Sequence, residues 1–155
     1  MQTLPAPELS FFCNLMVQVD APQTVGATPR GLRRVVPIVG GQVDGVGWQG
    51  RVLPGGADFQ LILDKRTSEL DARYVLELDG GDRVFVSNRA VRSAEPEVMA
   101  RLMRGEPVPP EKVYFRCWPT LETASPALAW VNSRAFVGTG VRHPDRVQMT
   151  FFVLG

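Results

Sequence analysis

Short segments in which apolar and polar residues alternate, each ended by a turn containing glycine or proline, account for most of this sequence. The first, residues 9–19, places most of its apolar residues at odd-numbered positions, the side-chain period of a strand with one buried face. Two later segments are joined by Asp79-Gly80-Gly81-Asp82, whose glycines supply the positive φ angles that hairpin turns require. The pattern predicts an antiparallel β-meander.

The alternating segments predict nine or ten strands. They cover residues 9–19, 31–39, 41–46, 48–53, 58–63, 70–78, 83–88, 112–118, 130–137 and 146–154. A meander of this many strands either packs as two sheets or closes on itself, and closure also removes exposed sheet edges. We therefore predict an all-β protein in which residues 1–155 form a single antiparallel β-barrel domain, a size suited to one domain.

One short helix interrupts the strands at residues 95–104. Pro96 suits the first helical position, and Val98 with Leu102 and Met99 with Met103 are apolar pairs four residues apart. Gly105 is placed to end the helix. We expect this helix to lie across the sheet or to plug one end of the barrel.

Charge and composition exclude several classes of protein. The chain has 17 basic and 16 acidic residues without a block of like charge, so no nucleic-acid footprint is expected. No window of about 18 apolar residues and no leader-like amino terminus is found, which predicts no membrane association and a cytoplasmic location. Cys13 and Cys117 stand apart in apolar segments, where buried free thiols are the favoured interpretation and a disulfide the alternative.

The sequence lacks the familiar motifs of cofactor and hydrolase chemistry. There is no GxxxxGK[ST], no GxGxxG between strand and helix, no HExxH and no GxSxG. His143 is the only histidine, which excludes a zinc site built from several imidazoles. We expect no metal and no other cofactor, and acid–base catalysis or ligand binding in a pocket remains.

The run from residue 114 to residue 132 carries the densest set of candidate pocket residues. Tyr114 and Arg116 share one face of the predicted strand, and Glu122 follows six residues after the arginine. A buried guanidinium needs a carboxylate or an anionic ligand beside it. Arg116 and Glu122 are therefore candidate catalytic residues, with Tyr114 beside the ligand. A structural ion pair and ordinary surface charges are the alternatives.

Trp130 and Asn132 lie two residues apart and would share one face of the predicted strand 130–137. An indole wall with an amide beside it suits a small aromatic or cyclic ligand. A core tryptophan beside an asparagine that satisfies turn carbonyls is an equally common arrangement.

Asp58 and Tyr74 are the candidates outside that run. Asp58 follows a Pro-Gly-Gly-Ala turn, where it either caps the turn or faces into the barrel as a base. Tyr74 falls on the apolar side of its strand, so it packs in the core or presents its hydroxyl to a ligand as donor or proton relay.

Several of these features, in fixed order, resemble the domain of unknown function 3237 family of bacteria and fungi. They are Gly40-Gly41, Pro54-Gly55-Gly56-Ala57-Asp58, Asp71 with Tyr74, Tyr114-Phe115-Arg116, Glu122-Thr123, Trp130 with Asn132, and Gly138-Thr139-Gly140 with Arg142. The resemblance implies a single β-barrel domain that generally requires no metal or nucleotide, and it implies no defined activity. Thr120-Leu121 stands where the family tends to have Arg-Phe. An inward Thr120 would leave a wider and less cationic pocket.

The leading functional hypothesis is a cofactor-independent enzyme of lyase, isomerase or cyclase type acting on a hydrophobic or aromatic small molecule. Asp58 or Glu122 would be the base, Tyr74 the donor, and Arg116 the oxyanion partner, with Trp130 as an apolar wall. The alternatives are a non-catalytic barrel that binds an apolar carboxylic acid and a structural barrel filled by side chains. The pattern leaves a homodimer through an exposed sheet face open.

Overall fold

Ten strands form one antiparallel sheet that closes on itself. The computed structural model describes residues 1–155. The strands are β1 Leu9–Val19, β2 Gln23–Thr28, β3 Gly31–Gly45, β4 Trp48–Val52, β5 Gly56–Ile62, β6 Thr67–Leu78, β7 Arg83–Ala94, β8 Val113–Thr123, β9 Phe136–Arg142 and β10 Arg146–Leu154. The prediction of a single antiparallel barrel of nine or ten strands with one short helix is confirmed.

Eight strands complete the ring in the order β1, β10, β9, β8, β7, β6, β5 and β3, and β3 pairs with β1 to close it. The two remaining strands extend the wall. β2 pairs only with β3, and β4 lies between β3 and β6 beyond the end of β5. The α-helix α1 spans Pro96–Met103, as its apolar pairs predicted, and follows β7. No helix is both long and apolar enough to cross a membrane.

The core fills the barrel because alternate side chains of every strand point inward. Phe151, Leu15 and Leu76 are almost completely buried there. Cys13 and Cys117 are buried free thiols, as their apolar surroundings predicted. Burial raises the pKa of the Cys117 thiol to about 12.

Three local predictions are corrected by the structure. The two predicted strands 31–39 and 41–46 are one continuous strand, β3. Gly41 allows β3 to continue through this point. Its φ is 137°, and it lies so close to β1 that an added Cβ would be 2.0 Å from the carbonyl oxygen of Met16. The strand β2 was missed. Residues 130–133, predicted as strand, belong to a 3₁₀ helix Pro126–Ser133 that begins with the proline, and β9 starts only at Phe136.

Aromatic side chains from the 3₁₀ helix and from β1, β4 and β9 cluster at one end of the barrel. The ring of Phe12 lies 5.4 Å from that of Trp48, 5.5 Å from that of Trp130 and 5.0 Å from that of Phe136, measured between centroids. Aromatic pairs at these separations are stabilising. This end of the barrel is therefore packed with aromatic side chains, and the polar side chains of the interior cavity lie elsewhere along the barrel.

Candidate functional site

A cavity of about 40 Å³ lies inside the barrel and holds both Asp58 and Tyr74. Asp58 is on β5 opposite Ala72 of β6, and Tyr74 follows on β6 two residues later, so the two side chains point to the same interior face. Gly56 allows β5 to approach Tyr74 closely, since an added Cβ there would lie 2.6 Å from the Cβ of Tyr74. The lining residues are Val17, Val19, Val36, Ile38, Asp58, Gln60, Leu70, Ala72, Tyr74, Asn88, Ala90, Arg92, Phe115, Arg142, Val147 and Met149.

Asp58 is the one carboxylate of the cavity. Asp58 as a whole is half-buried, but its Oδ1 atom is inaccessible to solvent and has no hydrogen-bond partner in the protein. Nε2 of Gln60 donates a hydrogen bond to Oδ2 over 2.8 Å. Burial raises the pKa of Asp58, and the Gln60 hydrogen bond and the charge of Arg92 oppose this rise only in part. Asp58 therefore keeps its proton to higher pH than a solvated aspartate does.

Tyr74 and Asn88 add two more polar groups without partners. Tyr74 is only 3% exposed, and its hydroxyl makes no hydrogen bond within the protein. Burial raises the pKa of this phenol well above its ordinary value, so the hydroxyl stays protonated and can donate. Asn88, on β7 opposite Ala72, likewise has an unpartnered Oδ1.

Three arginines bring positive charge to the interior, and sequence reasoning missed this arrangement. Arg34 lies on β3 opposite Gln60, Arg92 lies on β7, and Arg142 lies at the end of β9. Arg34 and Arg92 are 8% and 3% exposed. Burial lowers the pKa of all three, that of Arg92 to about 10.

A signal for two of these arginines was present in the pattern. Arg34 has the parity of Val36, and Arg92 has the parity of Asn88 and Ala90, so each continues an inward-facing row. The predicted strand stopped at Asn88, whereas β7 runs to Ala94.

The even-numbered residues of β8 point away from the cavity. Tyr114, Arg116, Thr120 and Glu122 are all exposed, whereas the intervening odd-numbered residues of the strand are buried. The Arg116 guanidinium lies 5.0 Å from the centroid of the Tyr114 ring and donates a hydrogen bond to the carbonyl of Phe115. The expectation that these four residues share a lumen with Asp58 and Tyr74 is thereby corrected, because β8 turns its other face inward.

Trp130 and Asn132 also lie outside the cavity. Trp130 is 41% exposed and packs edge-on against Phe12 at the aromatic end of the barrel. The side chain of Asn132 accepts a hydrogen bond from the backbone N–H of Thr123 and donates one to its carbonyl, over 2.8 and 2.9 Å. Asn132 therefore links the 3₁₀ helix to the end of β8. Its side chain has a structural role of the kind described above as the alternative, in which an asparagine satisfies backbone carbonyls.

A second, open groove of about 800 Å³ lies at the aromatic end between Trp48, Trp130 and the turn after β6. The Ser125 hydroxyl donates a hydrogen bond to Asp82 there. No three His, Cys, Asp or Glu side chains are grouped as metal ligands anywhere in the chain. The unpartnered polar groups that point to a ligand are in the interior cavity.

The fold and the cavity define a class: a small antiparallel β-barrel protein whose largely apolar interior holds a small cavity lined in part by Asp58, Tyr74 and two arginines. The chain belongs to the family described as "Protein of unknown function (DUF3237)", whose model matches residues 7–154, so the resemblance stated from the motifs is confirmed. A UPF0311 protein of Rhodopseudomonas palustris is 41% identical over 143 residues, covering 92% of this chain and 94% of the relative. A UPF0311 protein of Clostridium acetobutylicum is 36% identical over 140 residues, covering 90% and 89%.

Solved structures of similar proteins have the same fold. The crystal structure of a protein of unknown function from Rhodopseudomonas palustris matches with a TM-score of 0.92 and 37% identity, covering 99% of this chain and all of the other. A β-barrel-like protein from Acinetobacter baumannii matches with a TM-score of 0.86 and 30% identity over both whole chains. A structure described as an enzyme from Penicillium herquei has a TM-score of 0.73 over both whole chains, and at 14% identity it shows the fold alone.

Proposed function

We propose that this protein is an enzyme of lyase or isomerase type that moves a proton on a small organic molecule inside the barrel. One observation carries the proposal: five buried polar atoms around one cavity have no hydrogen-bond partner in the protein. They are Asp58 Oδ1, Gln60 Oε1, Tyr74 OH, Asn88 Oδ1 and Arg92 Nε. Each unpaired group costs about 1–3 kcal/mol of stability. Such a concentration of unpaired groups is characteristic of a site that a bound molecule completes.

Asp58 has the properties of the acid–base group. A carboxylate in a poorly solvated position is a stronger base than one in water. The raised pKa of Asp58 brings the proton affinity of this carboxylate closer to that of the carbanion formed from a weakly acidic substrate. In the proposed step, Oδ1 takes a proton from a carbon next to a carbonyl, and the C–H electron pair becomes the enolate. Return of the proton at another carbon gives an isomerase, and loss of a leaving group from the enolate gives a lyase.

Tyr74 and Arg92 would stabilise the enolate. The Tyr74 hydroxyl is protonated, buried and free to donate to a developing oxyanion. Arg92 supplies a positive charge from the neighbouring strand β7. No cofactor is needed for this chemistry.

The small volume of the cavity is the observation that favours the second candidate, a barrel that binds a small ligand without converting it. A volume of about 40 Å³ holds about three water-sized groups. Either only the head of a substrate reaches Asp58, or the site binds a small ligand and does nothing further. So small a cavity also resembles that of a structural barrel filled by its own side chains, the third alternative. The five unpartnered polar atoms weigh against a purely structural role.

Proton exchange distinguishes these candidates. A panel of small keto acids and ketones is incubated with the protein in D₂O, binding is measured by ligand-observed NMR, and loss of the α-proton signal is followed over time. The enzyme proposal is supported if the protein catalyses proton exchange on a bound compound, and if this exchange is lost in Asp58→Asn and strongly slowed in Tyr74→Phe. Glu69→Gln, an exposed carboxylate on the strand of Tyr74, is the matched control and keeps full activity. Bound compounds that never exchange, or full exchange in Asp58→Asn, contradict it.

A further inference from the structure

We propose that Arg92 and Arg142, with Arg34 behind them, form an anion subsite in the cavity, and that the molecule bound there is a carboxylate monoanion with an apolar body. The inference rests on the proposed function in that it concerns the same cavity, and it names the class of substrate. None of the three arginines entered the site predicted from the sequence.

Positive charge exceeds negative charge in the barrel interior. None of the three arginines forms an ion pair with an acidic side chain of the protein. Arg34 and Arg92 are buried beside a single carboxylate, that of Asp58, so at least one positive charge is in excess even when Asp58 is ionised. Arg142 is half-buried and adds a further positive charge, which Asp145 offsets in part. Buried charges in proteins are normally paired, so the missing negative charge is expected on a ligand.

Most N–H donors of the three guanidinium groups are unused. Arg92 makes no side-chain hydrogen bond; its Nε is buried and unpartnered, and its nearest aromatic neighbour is Phe115, with the ring centroid 5.7 Å from the guanidinium carbon. Arg34 Nε is likewise buried without a partner. Arg142 donates only to the backbone carbonyls of His143 and Arg146. Each guanidinium has five N–H donors arranged as a fork.

The three arginines converge on one region of the interior. They come from β3, β7 and β9, which are spread around the ring. The charges of Arg34 and Arg142 nevertheless lower the pKa of Arg92, and the charge of Arg34 lowers that of Arg142. Arg92 and Arg142 both line the cavity. A structural network of arginines and Asp58 would be expected to contain ion pairs, and no such pair is formed.

The chemistry of the walls selects among anions. The fork of an arginine matches the two oxygens of a carboxylate, and the cavity has room for about three heavy atoms, which is the size of that group. Eleven of the sixteen lining residues are hydrophobic, so an apolar group joined to the carboxylate is compatible with the walls, and the remainder of the molecule extends beyond the cavity. Asp58, when ionised, would repel a second negative charge, which favours a monoanion over a phosphate dianion.

Binding of butyrate and its uncharged isostere butyramide tests the subsite. Affinity is measured by titration calorimetry and ligand-observed NMR with the wild type and with Asp58→Asn, which removes the proposed base and leaves the arginines in place. Butyrate is expected to bind both proteins. Butyramide is expected to bind at least about thirtyfold more weakly, because it leaves the buried guanidinium charges without a negative partner. Equal binding of the two compounds, or no butyrate binding at tens of millimolar, overturns the inference.

Arginine variants locate the binding. Arg92→Met and Arg142→Met are each expected to lower butyrate affinity about thirtyfold or more, with partial recovery in Arg92→Lys, which restores the charge but not the fork. Arg89→Met changes an exposed arginine on the same strand and leaves affinity unchanged. Circular dichroism confirms that each variant is folded, and unchanged affinity in folded Arg92→Met and Arg142→Met refutes the subsite.

The two proposals fail in different ways. Butyrate binding that depends on the arginines, without proton exchange on any carboxylate that binds, removes the catalytic function and leaves the subsite. Proton exchange that needs Asp58 and Arg92, with butyrate affinity unchanged in folded Arg92→Met and Arg142→Met, leaves the function and removes the subsite.

Discussion

Replacing Arg92 by methionine is expected to stabilise the ligand-free protein. Burial lowers the pKa of Arg92 to about 10, roughly 2.5 units below that of a free guanidinium. At about 1.4 kcal/mol for a tenfold change in proton affinity, folding disfavours the charged side chain by about 3–4 kcal/mol. Methionine keeps an unbranched apolar stem of similar length and carries no charge. Allowing for imperfect packing, we expect the free energy of unfolding to rise by about 1–3 kcal/mol.

The sign of the pH dependence follows from the direction of the pKa shift. Below pH 10 the unfolded and folded states both carry the Arg92 proton, so the penalty is fully present at neutral pH. Above that pH the folded state releases the proton first, and the wild type recovers stability relative to the variant. The advantage of Arg92→Met is therefore expected to shrink above about pH 10.

Urea unfolding followed by tryptophan fluorescence measures the difference at pH 7, with Arg89→Met as the control. Arg89 is exposed on the same strand, and its replacement is expected to change the free energy of unfolding by less than about 0.5 kcal/mol. A loss of stability of about 1 kcal/mol or more in Arg92→Met, with an unchanged m-value, would show that the guanidinium is well paired in the native state. That result would refute the reasoning on which the anion subsite depends.

Three further outcomes are expected. The raised pKa of Asp58 means that the wild type loses stability as pH rises above about 4 towards the folded-state pKa. In urea titrations the stability of Asp58→Asn relative to wild type should therefore increase as pH rises above about 4, and a difference that does not change with pH contradicts this. Gly56→Ala places a Cβ 2.6 Å from the Cβ of Tyr74 and is expected to cost about 1–3 kcal/mol in the same assay, whereas Gly80→Ala, with nothing within 4 Å, is close to neutral. Burial and a pKa of about 12 should keep Cys117 unlabelled by iodoacetamide at pH 8 until urea unfolds the chain, and rapid labelling of the native protein would be inconsistent with that burial.

Local patterns in the sequence were sufficient to predict the architecture. Strand alternation and glycine turns act over a few residues, and ten alternating segments without a parallel crossover have few ways to bury their apolar faces. The helix near Pro96 and the buried thiols were predictable for the same reason. Asp58 and Tyr74 could be proposed as interior because each shares a strand face with apolar residues.

The tertiary structure alone decided which face of each strand is interior. In β8 both faces carry apolar or aromatic residues, Phe115 and Cys117 on one side and Tyr114 and Trp118 on the other. The period of two therefore shows which residues share a face, but it does not show which face is buried. Closure of the ring between β1 and β3 sets the curvature and turns Tyr114, Arg116 and Glu122 outward.

The cationic interior is also a property of the closed barrel. Arg34 and Arg92 lie 58 residues apart in sequence, and the parity of each strand shows only which residues share its face. They come to the same region of the interior because β3, β5, β6 and β7 are neighbours in the ring. Strand pairing over such distances depends on the whole fold. The sequence by itself therefore determined the barrel, the helix and the candidates Asp58 and Tyr74, while the fold decided that Arg92 and Arg142 line the cavity beside them.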